Sequence, residues 1–219
     1  MNKIDYKVKE IMPNIYAVIV RDFYDRAMLF CRVQEYYESS SNKFRGKDFS
    51  IWDFIKWYSK KEHGFNYTEH WSGFNIPLNI ALKSLNEGNI ETPYDELMLK
   101  ILFEIHRLSW STALLTKDVY IIGTDKASGE TFNHELRHAL YYTDKSYRTE
   151  ADKITKNIKK NHYIIFKNNL LKLGYANKVI NDEIQAYLSY GYQDNRFGKG
   201  VNIKIRTKYH KLYSEILKK

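Results

Sequence analysis

Apolar residues along the chain follow two spacings, one typical of strands and one typical of helices. Residues 15–20 (IYAVIV) are β-branched or aromatic at most positions, which predicts a short buried strand. Residues 22–38 carry apolar side chains at helical spacing, so this strand leads into a helix. Residues 118–124 (DVYIIGT) predict a second short strand that ends near a glycine, followed by a turn.

Helical spacing accounts for most of the remaining sequence. Ser50 is placed to cap a helix, and Pro77 favours the first turn of another, with a loop predicted at residues 67–76 between them. Residues 94–108 are apolar at 97, 98, 101, 102 and 105, as in a helix that buries one face. Further helical patterns cover residues 78–85, 131–143, 147–160, 162–173, 178–190 and 203–217. The pattern predicts an α+β fold that is mainly helical, with its few strands in the first part of the chain.

Length and composition narrow the class of protein. The chain has 219 residues, 43% of them hydrophobic, and no repeat or Pro/Gly-rich linker, so we expect a single domain over residues 1–219. Cys31 is the one cysteine, which excludes a disulfide framework and cysteine-based structural zinc sites. The longest apolar run near the N-terminus, residues 15–20, is too short for a signal peptide or a membrane span. We therefore expect a cytoplasmic protein with no membrane span, in which histidines and carboxylates hold any metal.

The net charge of +9 is unevenly distributed along the chain. Residues 153–219 hold 15 Lys and Arg against 4 Asp and Glu, or +11, whereas residues 1–152 hold 20 against 22, or −2. This basic helical part from about residue 153 has two interpretations. It contacts an anionic partner, such as nucleic acid, an anionic membrane or an acidic protein, or it is a solvated face.

The main chemical motif is His134-Glu135-Leu136-Arg137-His138, an HExxH sequence within the helix predicted at residues 131–143. Residues four apart in an α-helix lie one turn above each other, so both imidazoles can reach one cation. Glu135 is displaced by about 100° around the helix axis, where it flanks a water molecule on that cation. The spacing predicts a metal site with His134 and His138 as ligands and Glu135 as general base. The alternative is an ordinary amphipathic helix in which two histidines stand four residues apart by coincidence.

This segment resembles the active-site helix of the zincin-type zinc metallopeptidases. The residues that fit the longer pattern of that family are Thr131, Phe132, Leu136, Ala139 and Leu140. Arg137 departs from the pattern, because the second position between the histidines is usually uncharged in the family. The resemblance covers residues 118–143 and implies a zincin-like domain, a zinc ion as cofactor and a peptide or protein as substrate. It also implies a short edge strand before the helix that binds substrate by pairing, and residues 119–123 occupy that place.

A catalytic zinc ion takes three protein ligands and keeps a fourth position for water. The resemblance is to the gluzincin type, which takes its third ligand from a Glu on a later helix, and two residues are candidates. Glu183 begins a Glu-x-x-Ala sequence in the helix predicted at residues 178–190, where the small Ala186 lets the HExxH helix approach closely. Glu150 is only 12 residues past His138, on a segment that carries lysines. We favour Glu183, and Glu150 is the alternative.

Tyrosines and aspartates near these residues are further candidates for the proposed site. The oxyanion formed during amide hydrolysis usually needs a second hydrogen-bond donor beside the metal, and Tyr187 and Tyr142 are assigned that role, with Tyr147 as a further candidate. Asp182 or Asp144 is expected to orient an imidazole ring.

The sequence therefore predicts a zinc-dependent metallopeptidase that hydrolyses peptide bonds through a metal-activated water, with Glu135 as general base. The competing interpretation is a non-catalytic binding protein whose basic C-terminal third contacts nucleic acid or an acidic partner. Binding of that second kind would weaken steeply as the salt concentration rises.

Overall fold

The computed structural model describes residues 4–86, 88–111, 118–173, 175–189 and 203–218. Its fold is α+β and mainly helical, which confirms the class expected from the sequence. The chain forms two compact units, residues 1–132 and residues 133–219, and the boundary falls within the helix that carries the HExxH motif. The single domain expected from the sequence stays a prediction.

A four-stranded mixed sheet lies in the unit of residues 1–132. Its strands are β1 (Tyr6–Met12), β2 (Ile15–Val20), β3 (Phe74–Pro77) and β4 (Tyr120–Thr124), in the spatial order β1-β2-β4-β3. β2 and β4 run parallel, with Ile15 opposite Tyr120, and the other two pairs are antiparallel. The strands predicted at 15–20 and 118–124 are confirmed as β2 and β4. The sequence patterns did not reveal β1 or β3.

The prediction that the strand before the HExxH helix lies at an edge of the sheet is wrong. β4 pairs with β2 on one side and with β3 on the other, so both of its edges are occupied. All five residues of β4 are buried, and a strand buried on both faces is typical of the interior of a sheet. β4 therefore has no free edge for a substrate strand, and β1 and β3 take the outer positions of the described sheet.

Five helices are described in the same unit. They are α1 (Phe23–Glu38), α2 (Ile51–Glu62), α3 (Tyr67–His70), α4 (Leu78–Ser84) and α5 (Pro93–Ser111). Asp22 accepts a hydrogen bond from the Asp25 N–H at the start of α1, and Ser50 accepts one from the Trp52 N–H at the start of α2. The predicted helices at these places are thus confirmed, whereas α3 and part of β3 occupy the segment expected to be a loop.

Residues 133–219 form a helical unit whose first helix begins just before the boundary. Its helices are α6 (Gly129–Thr143), α7 (Lys145–Lys156), α8 (Lys160–Lys172), α9 (Ile180–Ser189) and α10 (Ile203–Ile216). Each lies within a few residues of a helix predicted from the sequence.

Buried aliphatic and aromatic side chains hold this helical unit together. Tyr209 of α10 is fully buried, and its hydroxyl lies 2.6 Å from the Thr155 hydroxyl of α7. Ala186 of α9 is also fully buried, which lets neighbouring helices approach closely.

No helix among the described residues is both long and apolar enough to cross a membrane.

Candidate metal centre

His134 and His138 lie one turn apart on α6 and face a common point. Their Nε2 atoms are 3.2 Å apart. Two nitrogen ligands of a tetrahedral zinc ion, each about 2.0–2.1 Å from the metal, are separated by about 3.3 Å. The spacing of the two histidine nitrogens is therefore the one that a single ion requires.

Glu183 of α9 supplies the third potential ligand. Its Oε1 atom is 3.7 Å from His138 Nε2, and one ligand atom from each of the three residues lies within 4.8 Å of the others. Within the part of the chain that the structure describes, this is the one group of three such side chains close enough to hold a metal ion. Glu150 is on α7, half exposed, and binds Lys153 at 2.5 Å. Of the two carboxylates considered from the sequence, Glu183 is thus the one that lies beside the histidines.

The other face of the His138 ring is held by a carboxylate. Asp182 Oδ1 lies 2.9 Å from His138 Nδ1, which leaves Nε2 to face His134 and Glu183. Gln185 donates to the same Asp182 oxygen at 2.9 Å, and its amide oxygen accepts from Tyr147 at 2.8 Å. This network fixes the orientation of the imidazole, as carboxylates do around metal-ligating histidines.

Asp144, the other aspartate considered from the sequence, has a different role. Its side chain accepts hydrogen bonds from the backbone N–H groups of Ser146 and Tyr147 and so caps the start of α7. The Tyr147 hydroxyl donates to Gln185, so this tyrosine supports the network around Asp182.

Arg137, the residue that departs from the zincin pattern, is buried in the helical unit. Its guanidinium donates to the carbonyl oxygens of Asn133 and Ser189, and its central carbon lies 3.7 Å from the centroid of the Tyr213 ring. Carbonyl dipoles and an aromatic face both stabilise a buried cation. The arginine therefore has structural partners on α6, α9 and α10.

The two imidazoles have opposite pKa shifts. Burial and the positive charges of His138 and Arg137 lower the pKa of His134 well below its ordinary value. Burial also acts to lower the pKa of His138, but the Asp182 and Glu183 carboxylates outweigh it and raise that pKa well above its ordinary value. The two shifts favour the neutral form of His134 and the protonated form of His138, and a metal ion bound at Nε2 of His138 would displace the proton there.

Two tyrosine hydroxyls lie next to the cluster. The Tyr187 ring centroid is 4.7 Å from that of His134, and the Tyr187 hydroxyl is 3.2 Å from that of Tyr175. Burial raises the pKa of Tyr175 well above its ordinary value, and the charges of Glu183 and Glu135 add to the effect. The Tyr175 hydroxyl therefore favours its protonated form and can donate a hydrogen bond.

Tyr175 is a site residue that the sequence reasoning missed. It precedes α9 in a short irregular segment, and no motif or periodicity marks it. Its proximity to Glu183 and Glu135 comes from the fold of the chain before α9, so its sequence position offered no signal.

Glu135 and Tyr142 are the remaining assigned residues. Glu135 is buried on α6, and its charge acts on both His138 and Tyr175. Tyr142 lies one turn beyond His138, half-buried, and its backbone carbonyl accepts a hydrogen bond from Arg148. The arrangement can bind a divalent cation and place a carboxylate and two hydroxyl donors around it.

No model of a known protein family matches the chain, and no characterised protein or solved structure matches it either.

Proposed function

We propose that the protein is a zinc-dependent peptidase that hydrolyses peptide bonds of a peptide or protein substrate. The observation that carries the proposal is the convergence of His134, His138 and Glu183 on one point. Glu135 is next to His134 on α6. A cytoplasmic location is part of the proposal. The buried thiol of Cys31 favours it, since secreted proteins commonly carry disulfides.

The donor set supports zinc as the metal. Two imidazole nitrogens and one carboxylate oxygen are the ligands of many catalytic zinc sites, and the fourth tetrahedral position stays open for water or substrate. Magnesium and calcium prefer oxygen ligands, so a site with two histidines disfavours both. Non-haem iron uses the same three ligand types, and metal analysis distinguishes it from zinc.

Each protein group has a definite part in the proposed reaction. A bound zinc ion supplies Lewis acidity and lowers the pKa of a coordinated water to about 7. The Glu135 carboxylate accepts the proton of the attacking water and delivers it to the nitrogen of the leaving amine. Tyr187 and Tyr175 provide hydroxyl donors for the carbonyl oxygen as it gains negative charge. Asp182 keeps the His138 ring in place throughout.

Metal analysis of the purified protein is the first test of this proposal. We expect about one zinc ion per chain, and loss of that ion in His134→Ala, His138→Ala and Glu183→Ala, because two ligands hold a dication far more weakly than three. Glu150→Ala is the matched control and is expected to retain zinc, since this exposed carboxylate pairs with Lys153. A chain that binds no zinc when zinc is offered, or binds iron in its place, would contradict the proposed metal.

Hydrolysis is tested separately with a mixture of peptides derived from a proteome and analysed by mass spectrometry. Zinc-loaded wild-type protein is expected to produce cleavages that disappear with a chelator. Glu135→Gln should retain zinc and lower the cleavage rate by at least about 100-fold, the usual effect of losing a general base. Absence of any cleavage that depends on Glu135 would overturn the peptidase while leaving the metal site intact.

A further inference from the structure

Four large aliphatic side chains are exposed on and just after α8. Ile164, Ile165, Leu171 and Leu173 are each 39–49% exposed. Among the large hydrophobic residues described in 133–219, only Leu217 is comparably exposed. Exposed aliphatic residues are usually scattered singly, so this concentration within one short segment indicates a contact surface.

Lysines share this face of the helix. Lys160, Ile164, Lys167 and Leu171 follow one another at intervals of four, three and four residues, which aligns them along one side of α8. Residues 153–181 contain seven lysines and no acidic residue. These four residues, with Ile165, Lys172 and Leu173, are called the α8 surface below. It combines aliphatic side chains with a high density of positive charge.

We propose that the α8 surface binds a membrane leaflet that contains anionic lipids, with the helix lying in the plane of the interface. Aliphatic side chains on such a helix enter the boundary between head groups and acyl chains, while lysines extend their amines to the lipid phosphates. Nucleic acid would attract the lysines but leave the aliphatic side chains in water. An anionic membrane can bind both the aliphatic side chains and the lysines. The proposal does not depend on the peptidase activity.

A cavity at the start of α8 favours the same ligand. It has a volume of about 300 Å³, and its polar lining includes Lys156, Lys160, Tyr163 and Asn181. The Tyr163 hydroxyl donates to the Asn181 side chain at 3.1 Å, which fixes that wall of the cavity. Two lysines beside polar side chains are suited to a lipid phosphate. Lys160 belongs to both the cavity and the α8 surface, so the two features are continuous.

Co-sedimentation of the full chain with lipid vesicles tests the proposal. Vesicles with about one-third phosphatidylserine are compared with pure phosphatidylcholine vesicles, at about 0.1 M and about 0.5 M NaCl. We expect at least about tenfold tighter binding to the anionic vesicles at low salt, because each lysine near such a surface contributes about fivefold. We also expect that binding weakens at the higher salt concentration. Equal binding to both kinds of vesicle, or binding to neither, would overturn the proposal.

Two variants separate the apolar contribution from the charge. Ile164→Ser/Leu171→Ser removes aliphatic side chains, and Lys160→Gln/Lys172→Gln removes two exposed amines. Each double variant is expected to bind anionic vesicles at least about tenfold more weakly than wild type. Should the serine variant lose helix content by circular dichroism, the glutamine variant decides the result, because both of its lysines are exposed.

A matched control comes from α2, which also carries exposed residues of both kinds. Trp52→Ser/Lys56→Gln replaces one exposed aromatic and one exposed lysine there, and is expected to bind vesicles as wild type does. An equal loss in this control would show that the effect is not specific to α8 and would contradict the proposal.

Other occupants of the α8 surface give distinct outcomes. Tighter binding to a DNA duplex than to anionic vesicles, unaffected by Ile164→Ser/Leu171→Ser, would assign the lysines to nucleic acid and overturn the proposal. Light scattering tests for a second copy of the chain. A wild-type dimer that becomes monomeric in the serine variant would make the surface an interface between copies, and the membrane assignment would fail.

Discussion

At the scale of single residues, the contact between Asp182 and His138 orients one side chain of the candidate metal centre. The carboxylate holds Nδ1 at 2.9 Å, so Nε2 faces the point shared with His134 and Glu183. Asp182 precedes Glu183 in the chain, and one turn of α9 therefore provides both a potential ligand and the group that orients another ligand. This arrangement makes the role of Asp182 separable by mutation from that of Glu183.

Asp182→Asn is expected to lower zinc affinity by about 10–100-fold, since it weakens the charge behind His138 while keeping an oxygen acceptor. Competition with a chromogenic chelator measures the change. Asp144→Asn is the control: asparagine caps a helix about as well as aspartate, so this variant should leave both the stability and the zinc affinity nearly unchanged. Equal loss of zinc affinity in both variants would contradict the specific role of Asp182.

Glu35 of α1 is a second residue whose environment alters its chemistry. Burial raises the pKa of its carboxyl to about 7, although the nearby hydroxyl groups of Ser39 and Tyr67 and the charge of Lys61 act in the opposite direction. Between the ordinary value of 4.5 and about 7, the folded chain keeps a proton that the unfolded chain has lost. The free energy of unfolding therefore falls as the pH rises through this range, by up to about 3 kcal/mol, and the loss is complete above it.

Glu35→Gln removes the ionising group and should flatten this part of the pH profile. Urea denaturation is expected to show the variant about 1–3 kcal/mol more stable than wild type at about pH 8, with a much smaller difference at about pH 4.5. Asp53→Asn, at an exposed position of α2, serves as control and should follow the wild-type profile. A constant difference between Glu35→Gln and wild type at both pH values would rule out the titration of Glu35 as the cause.

At the scale of elements, close packing of α1 on the sheet depends on a glycine in β4. A Cβ atom added at Gly123 would lie 2.5 Å from the ring of Phe30 on α1, far inside a normal contact. Phe30 in turn stacks on Phe74 of β3, with ring centroids 5.1 Å apart. The missing side chain at 123 thus lets a helix and two strands share one tightly packed aromatic contact.

Gly123→Ala is expected to destabilise the protein by about 1–3 kcal/mol, because the ring of Phe30 must shift within a packed core. Chemical denaturation measures the loss. Since Phe30→Leu relieves the clash, the double variant should lose less than the sum of the two single losses. Additive losses would show that the contact between Gly123 and Phe30 is not the cause.

At the scale of the whole molecule, the chain forms two compact units, each with buried apolar side chains. Residues 1–132 contain an extensive apolar core around β2 and α1. The unit of residues 133–219 contains the three side chains that could hold a metal ion, from α6 and α9. A bound ion stabilises the folded state in which its ligands are assembled, so the proposed zinc site couples metal binding to the stability of the second unit.

Hydrogen exchange measured by mass spectrometry tests this coupling. Zinc is expected to slow exchange at least about tenfold in peptides from α6 and α9, since opening either helix releases the ion. Peptides from α1 should be unaffected, and His134→Ala should abolish the zinc effect throughout. Equal slowing in α1 and α9, or none in α9, would contradict the link between the metal site and the second unit.

The local pattern of apolar and polar residues was enough to predict most of the helices and the strands β2 and β4. The spacing of four residues was enough to predict that His134 and His138 lie on one face of a helix. These features depend on contacts a few residues apart: a helical rise places residues four apart on one face, and Ser50 caps the helix that follows it. Glu183 was also favoured from sequence, through its place in a Glu-x-x-Ala pattern. Its proximity to the histidines, however, is a property of the folded chain.

Tertiary structure alone decided the features that depend on distant parts of the chain. The position of β4 inside the sheet follows from pairing with β3, whose short segment has no clear strand pattern. Tyr175 lies beside the cluster, with its hydroxyl 3.2 Å from that of Tyr187 and within reach of the charges of Glu183 and Glu135. Arg137, which departs from the zincin pattern, donates hydrogen bonds to carbonyl oxygens on α6 and α9 and lies against an aromatic ring of α10. Spacing along a helix is set by the backbone itself, whereas such long-range contacts depend on how separate elements pack.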